Sequence, residues 1–136
     1  MGAWGYGILE NDTVLDWVEE LLETQDLSLI TEAIEMVLDD REIESFTAET
    51  ALGAIEILAA LQDRPGNEEY DEELENWINR HKGQGKELLV PSQKALGKIL
   101  DESELKELWE ESENFEKWVK VIKELEGRLI PTGGQL

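Results

Sequence analysis

The sequence predicts an all-α fold, a compact bundle of about six or seven short helices, on three observations. Apolar residues recur at helical spacing in segment after segment, each segment is bounded by capping or breaking residues, and no stretch alternates at period two for long enough to form a sheet. A composition that is 40% apolar, with five tryptophans, supplies the core such a bundle needs and argues against a disordered acidic chain.

Asn11 and Asp12 suit a helix N-terminus, and behind them Val14, Trp17, Val18, Leu21 and Leu22 share one face, so a first helix is expected over 13–24. Ser28 is the expected cap of a second helix, in which Ile30, Ala33, Ile34, Val37 and Leu38 form the stripe and which ends near Asp39. Thr47 is the expected cap of a third, with Phe46 stapling its first turn. Ala51, Leu52, Ala54, Ile55, Leu58, Ala59 and Leu61 leave that helix little polar surface, which makes it the most buried. Asp63, Arg64, Pro65 and Gly66 stop it, because proline cannot continue a helix and glycine tolerates positive φ.

Tyr70, Leu74, Trp77, Ile78 and His81 mark a fourth helix, closed by Gly83 and Gly85. Pro91 and Ser92 open a fifth, with Ala95, Leu96, Ile99 and Leu100 on one side; Gly97 inside it costs about 1 kcal/mol of propensity. Ser103 caps a short sixth helix carrying Leu105, Leu108 and Trp109. A last helix puts Phe115, Trp118, Val119, Ile122, Leu125 and Leu129 on one stripe and stops before Pro131. Residues 1–136 read as a single helical domain with 131–136 as a disordered tail. Trp17, Ile34, Ile55, Leu58, Trp109, Trp118 and Ile122 are the expected core.

Composition narrows the function classes. With no cysteine there is neither a disulfide framework nor a thiolate metal site nor a thiol nucleophile. The first basic residue is Arg41, so the start carries no basic segment of a secretory leader, and no apolar run approaches a membrane span; the longest, Ala51 to Leu61, is interrupted by Glu56. Tyr6 stands where a myristoylation signal wants Ser or Thr. These features point to the cytoplasm. The net charge is −21, and it is uneven: residues 1–80 hold 22 acidic and 3 basic side chains, a net of −19, against 11 and 9 over 81–136, a net of −2. Such a field repels phosphate backbones and anionic lipid, so neither nucleic acid nor membrane is an expected partner.

The opening MGAWGYGILEND sets Gly2, Gly5 and Gly7 around Trp4 and Tyr6. An anion cradle would want a preceding strand, a nucleotide-fingerprint spacing and a following lysine, none of which is present, while Glu10 and Asp12 repel an anion. Tight turns that tuck Trp4 and Tyr6 into one end of the bundle are the simpler role. This opening, with END and the Asp16–Trp17 pair behind it, resembles the start of bacterial proteins of the domain of unknown function 4259 family, and SELKELWEES and EKWVKVIKELEGRL resemble that family's closing helices. The resemblance spans nearly the whole chain, with residues 63–92 matching least, and implies a domain beginning at Met1. It implies no activity and no catalytic residue.

Glu19, Glu20 and Glu23 form an EExxE pattern on the first helix, and the second offers Glu32, Glu35 and Asp39. Facing carboxylates of this kind bind magnesium and, through it, nucleotide phosphates, and the pattern is similar to that of all-α nucleotide pyrophosphatases. Two features weigh against it. Glu35 and Asp39 are four residues apart where that family has three, and the first trio lies opposite the Val14, Val18, Leu21 stripe, as a solvated face would. Asp39, Asp40, Glu42 and Glu44 lack the glycine and the terminal glutamate of a calcium loop. His81 is the only histidine, too few for zinc, and suits a helix C-terminus; none of Ser28, Ser45, Ser92, Ser103 or Ser112 sits in a nucleophile motif with it. No catalytic, cofactor or metal residue is therefore assigned, and no cofactor is expected. The sequence favours a non-enzymatic acidic protein that engages a basic partner protein, for example as antagonist of a basic toxin such as a nuclease. Its alternatives are a magnesium-dependent nucleotide phosphohydrolase using Glu19, Glu20, Glu23, Glu35 and Asp39, and a soluble structural or assembly protein whose charge serves solubility.

Overall fold

The computed structural model describes residues 12–39, 41–64 and 71–129. Within them the chain forms seven α-helices: α1 Asp12–Leu22, α2 Ser28–Asp39, α3 Ser45–Leu61, α4 Glu72–Arg80, α5 Leu89–Asp101, α6 Glu104–Glu110 and α7 Phe115–Arg128. A single 3-10 turn, Lys86–Leu88, leads into α5, and none of the described residues is in a strand. The Gly/Trp opening with Trp4, the residues Asp40, Pro65, Gly66 and Tyr70, and the tail 131–136 lie outside the described residues.

The apolar run that marks α3 in the sequence makes it the centre of the bundle. Every residue from Ala51 to Leu61 is buried, and α3 packs against each of the other six helices. The amphipathic helices close round it with the stripes the spacing predicts: Val14, Val18 and Leu21 from α1, Ile30, Ala33, Ile34 and Val37 from α2, Leu74, Trp77 and Ile78 from α4, Ala95, Leu96 and Ile99 from α5, and Trp118, Ile122 and Leu125 from α7. Closest approach is at Gly53, where a Cβ would meet Val14 Cγ1 at 2.5 Å, so α1 can lie on α3 only because this position has no side chain. Gly85 performs two tasks: it takes φ 89°, and its missing side chain leaves room for Leu58 and Leu27.

Helix ends depart from the sequence expectation where a tertiary donor or acceptor replaces a local cap. α3 begins at Ser45, two residues before Thr47; Glu44 makes no side-chain cap bond, and the Ser45 amide donates instead to the Glu104 carboxylate at 2.8 Å. Thr47 is consequently buried within the first turn, and Phe46, expected to staple that turn, is 62% exposed. Ser28 is also not the acceptor that starts α2: its amide and hydroxyl both donate to Asp26 Oδ1, at 3.1 and 2.8 Å. α5 starts at Leu89, so Pro91 falls inside its first turn instead of opening it. By contrast Ser103 caps α6 as its sequence requires, accepting from the Lys106 amide at 3.0 Å, and Asp71 does the same for α4 with the Leu74 amide. Of the seven expected core residues, Ile34, Ile55, Leu58, Trp118 and Ile122 are buried, while Trp17 and Trp109 are partly buried at the core's edge.

Candidate binding surface

Two of the buried polar residues, Glu56 and His81, carry ionisable side chains, and both are held by hydrogen bonds within the fold. Glu56 is the one carboxylate within the apolar run of α3 and is fully buried. Arg128, near the end of α7, grips it with both terminal nitrogens, Nη2 to Oε1 at 2.8 Å and Nη1 to Oε2 at 3.0 Å. The same guanidinium reaches Glu124 through Nε and the Arg64 carbonyl through Nη1. Burial pulls its pKa down, but the hydrogen bonds and charges of Glu56, and after them those of Glu124, outweigh burial and leave it above the ordinary arginine value. A planar fork is what this geometry needs, which explains arginine here in preference to lysine.

His81 follows α4 and is the second. Its ring stacks on Trp77 with centroids 4.1 Å apart, and its nitrogens face two carbonyl oxygens, Nδ1 that of Trp77 at 2.8 Å and Nε2 that of Gln25 at 3.1 Å. Trp77 Nε1 donates to the Thr24 carbonyl at 3.0 Å. Together the two rings fasten the α1–α2 connector to α4. Both imidazole nitrogens are engaged by backbone carbonyls, and neither is directed to a serine.

The acidic residues that the sequence singles out are all on the outside. Glu19 and Glu20 on α1, Glu23 in the turn just after it, and Glu32, Glu35 and Asp39 on α2 are exposed, as are Glu42 and Glu44 on the following connector. Among the described residues no group of three or more His, Asp or Glu side chains is gathered closely enough to hold a metal ion. Of the described acids between residues 12 and 80, all but Glu49 and Glu56 are exposed. Exposed basic side chains in that span are few: Arg41 and Arg80. The exposed Asp63 is paired with Lys82 at 2.9 Å, and this hydrogen bond lowers its pKa. Further along, Lys106 pairs with Glu110 on α6 at 3.6 Å.

Among the described residues five large apolar side chains are exposed: Leu15, Met36, Phe46, Val90 and Leu108. Phe46 faces outward although its place before Thr47 is that of a staple. A signal was available in Glu104, which stands at the start of α6 and competes for the amides at the start of α3.

These features describe an all-helical bundle with a buried, largely apolar central helix and a solvent-facing coat of carboxylates that is dense on α1, α2 and α4. The chain belongs to the family described as "Domain of unknown function (DUF4259)", whose model matches residues 2–121. Neither a curated protein nor a solved structure matches the chain. No helix among the described residues is long and apolar enough to cross a membrane.

Proposed function

We propose that this protein is a non-enzymatic binding protein of the bacterial cytoplasm whose acidic N-terminal region engages a basic partner protein. The observation that carries the reading is the outward display of nearly all the described acids between residues 12 and 80, with only Arg41 and Arg80 as exposed described bases among them. Carboxylates that serve folding are expected to be capped, paired or buried, as Asp71 and Glu56 are. Apart from Asp63 with Lys82 and Asp26 with Ser28, the exposed carboxylates of this span form a field that attracts a cationic surface and accelerates its encounter. A basic toxin of nuclease type, whose nucleic-acid site is itself cationic, is a partner of the right charge.

A magnesium-dependent hydrolase would need Glu19, Glu20, Glu23, Glu35 and Asp39 to converge, and their scattered exposure favours the binding reading over that one. The test is affinity purification of the tagged protein from its native cell at low salt. Recovery of a basic protein that elutes as salt is raised supports the proposal, and recovery of none overturns it.

A further inference from the structure

We infer that the basic partner is gripped at one place, the junction of the starts of α3 and α6, and that the part of the partner seated there is an amphipathic helix with a row of apolar side chains flanked by lysine or arginine. This rests on the reading above and adds to it a location and a shape.

Two hydrogen bonds define the junction. The Ser45 amide donates to Glu104 Oε1 at 2.8 Å, and the Glu104 amide donates to the Ile43 carbonyl at 2.9 Å. Phe46 is the next residue after Ser45, and Leu108 stands one helical turn beyond Glu104 on the same side of α6, about 6 Å along its axis. Phe46 and Leu108 are 62% and 53% exposed. A phenylalanine in the first turn of a helix gains nothing from facing water, and a staple position was open to it. Leu108 likewise sits beside Leu105, which is buried, so α6 carries apolar residues on both its inner and outer sides. An exposed aromatic next to Ser45 and an exposed leucine one turn beyond Glu104, on the two helices that their hydrogen bond ties together, offer the kind of anchor on which binding energy concentrates.

Charge supplies the chemistry of the occupant. Glu42, Glu44, Glu104, Glu107 and Glu111 are exposed around this pair, with Arg41 the only exposed base of the two segments 41–50 and 101–111, and Lys106 already turned to Glu110. An apolar centre with a carboxylate rim matches a helix whose one stripe is apolar and whose borders are cationic. An anionic or purely apolar occupant would meet that rim with uncompensated charge. Val90 stands at the opposite end of α5 from α6, and so belongs to no such junction.

The probe is a synthetic peptide of leucine and lysine with leucine at helical spacing, compared with a scrambled peptide of the same composition that has no apolar stripe. Binding to the full chain is measured by fluorescence anisotropy at low salt and at ~0.15 M salt, where the screening length is about 8 Å. The striped peptide should bind at least about tenfold more tightly than the scrambled one, and Phe46→Ser and Leu108→Ser should each remove about tenfold of that affinity. Both variants should leave the scrambled peptide's binding and the helical circular dichroism unchanged, and Val90→Ser should change neither affinity. Striped-peptide binding that is indifferent to both variants overturns the inference while leaving the acidic-binding reading standing. Failure of both peptides to bind even at low salt overturns both. If sedimentation reveals a dimer that Phe46→Ser dissociates, the occupant is a second copy of this chain and the inference is wrong.

Discussion

Replacing Arg128 by methionine should destabilise the bundle more than any conservative change on its surface, and the size of the loss follows from what the guanidinium holds. Glu56 has a side chain only 1% exposed, and Arg128 supplies it with two charge-assisted hydrogen bonds of 2.8 and 3.0 Å. Removing one partner of a buried ion pair costs about 3–5 kcal/mol because the remaining charge is stranded in low dielectric. Arg128 is itself 12% exposed, so some water reaches the site and the lower end of that range, about 3 kcal/mol, is the expectation. At about 2.1 cal/mol/K of unfolding entropy per residue, a chain of 136 residues changes its melting temperature by about 3.5 °C per kcal/mol. Arg128→Met should therefore melt about 10 °C lower and shift its urea midpoint at unchanged slope. The raised pKa of the guanidinium means that its contribution is fully present below the ordinary arginine value and is lost only in strong alkali, so the deficit should not vary between about pH 7 and 10. Glu56→Leu combined with Arg128→Met should return to within about 1–2 kcal/mol of the parent, since neither charge is then left alone. An Arg128→Met variant that loses less than about 1 kcal/mol would refute the claim that this pair is a buried and closed structural element.

Other positions give sharper signs than magnitudes. Gly53→Ala should cost about 1–3 kcal/mol, because its Cβ would stand 2.5 Å from Val14 Cγ1, whereas Gly97→Ala, with nothing within 4 Å, should gain up to about 1 kcal/mol of helix propensity; chemical denaturation reads both. Ser92 has a fully buried hydroxyl with no hydrogen-bond partner, so Ser92→Ala should match or exceed the parent by about 1 kcal/mol in the same assay. Asp26 has a lowered pKa, first from the Ser28 amide and then from the Ser28 hydroxyl. Its contribution is present above the ordinary carboxylate value and lost as pH falls through the lowered folded one, so the deficit of Asp26→Ala at pH 7 should vanish once the pH is well below the ordinary carboxylate range, in acid titrations followed by circular dichroism.

Most of the architecture was legible because burial in a helical bundle leaves a periodic trace. The stripe of α7 from Trp118 to Leu125 and the long apolar run of α3 each had one physical solution, and the structure adopts it. What the chain order could not convey is partnership across the fold. Glu56 read as an interruption of an apolar run until Arg128, 72 residues away, met it, and Thr47 read as a cap because the competing acceptor, Glu104, lies on a different helix. The exposed carboxylates on α1 and α2 were legible as a solvated face from their angle to Val14, Val18 and Leu21. Phe46 was not legible, since local rules give a phenylalanine before a first turn an inward role, and only the earlier start of α3 turns it out.

Whether the carboxylate coat is a repulsive field is tested most directly by the melting temperature of the free protein against sodium chloride, with the striped cationic peptide present in a parallel series. Raising salt from ~0.15 M to ~1 M shortens the screening length from about 8 Å to about 3 Å and removes most repulsion between neighbouring helix faces. The free protein should then melt progressively higher, while the added stabilisation from the peptide, large at low salt, should shrink over the same range. Opposite trends are the predicted result. A free protein whose melting temperature ignores salt would mean that its carboxylates are well separated or locally paired, and the charge would then no longer mark a binding surface.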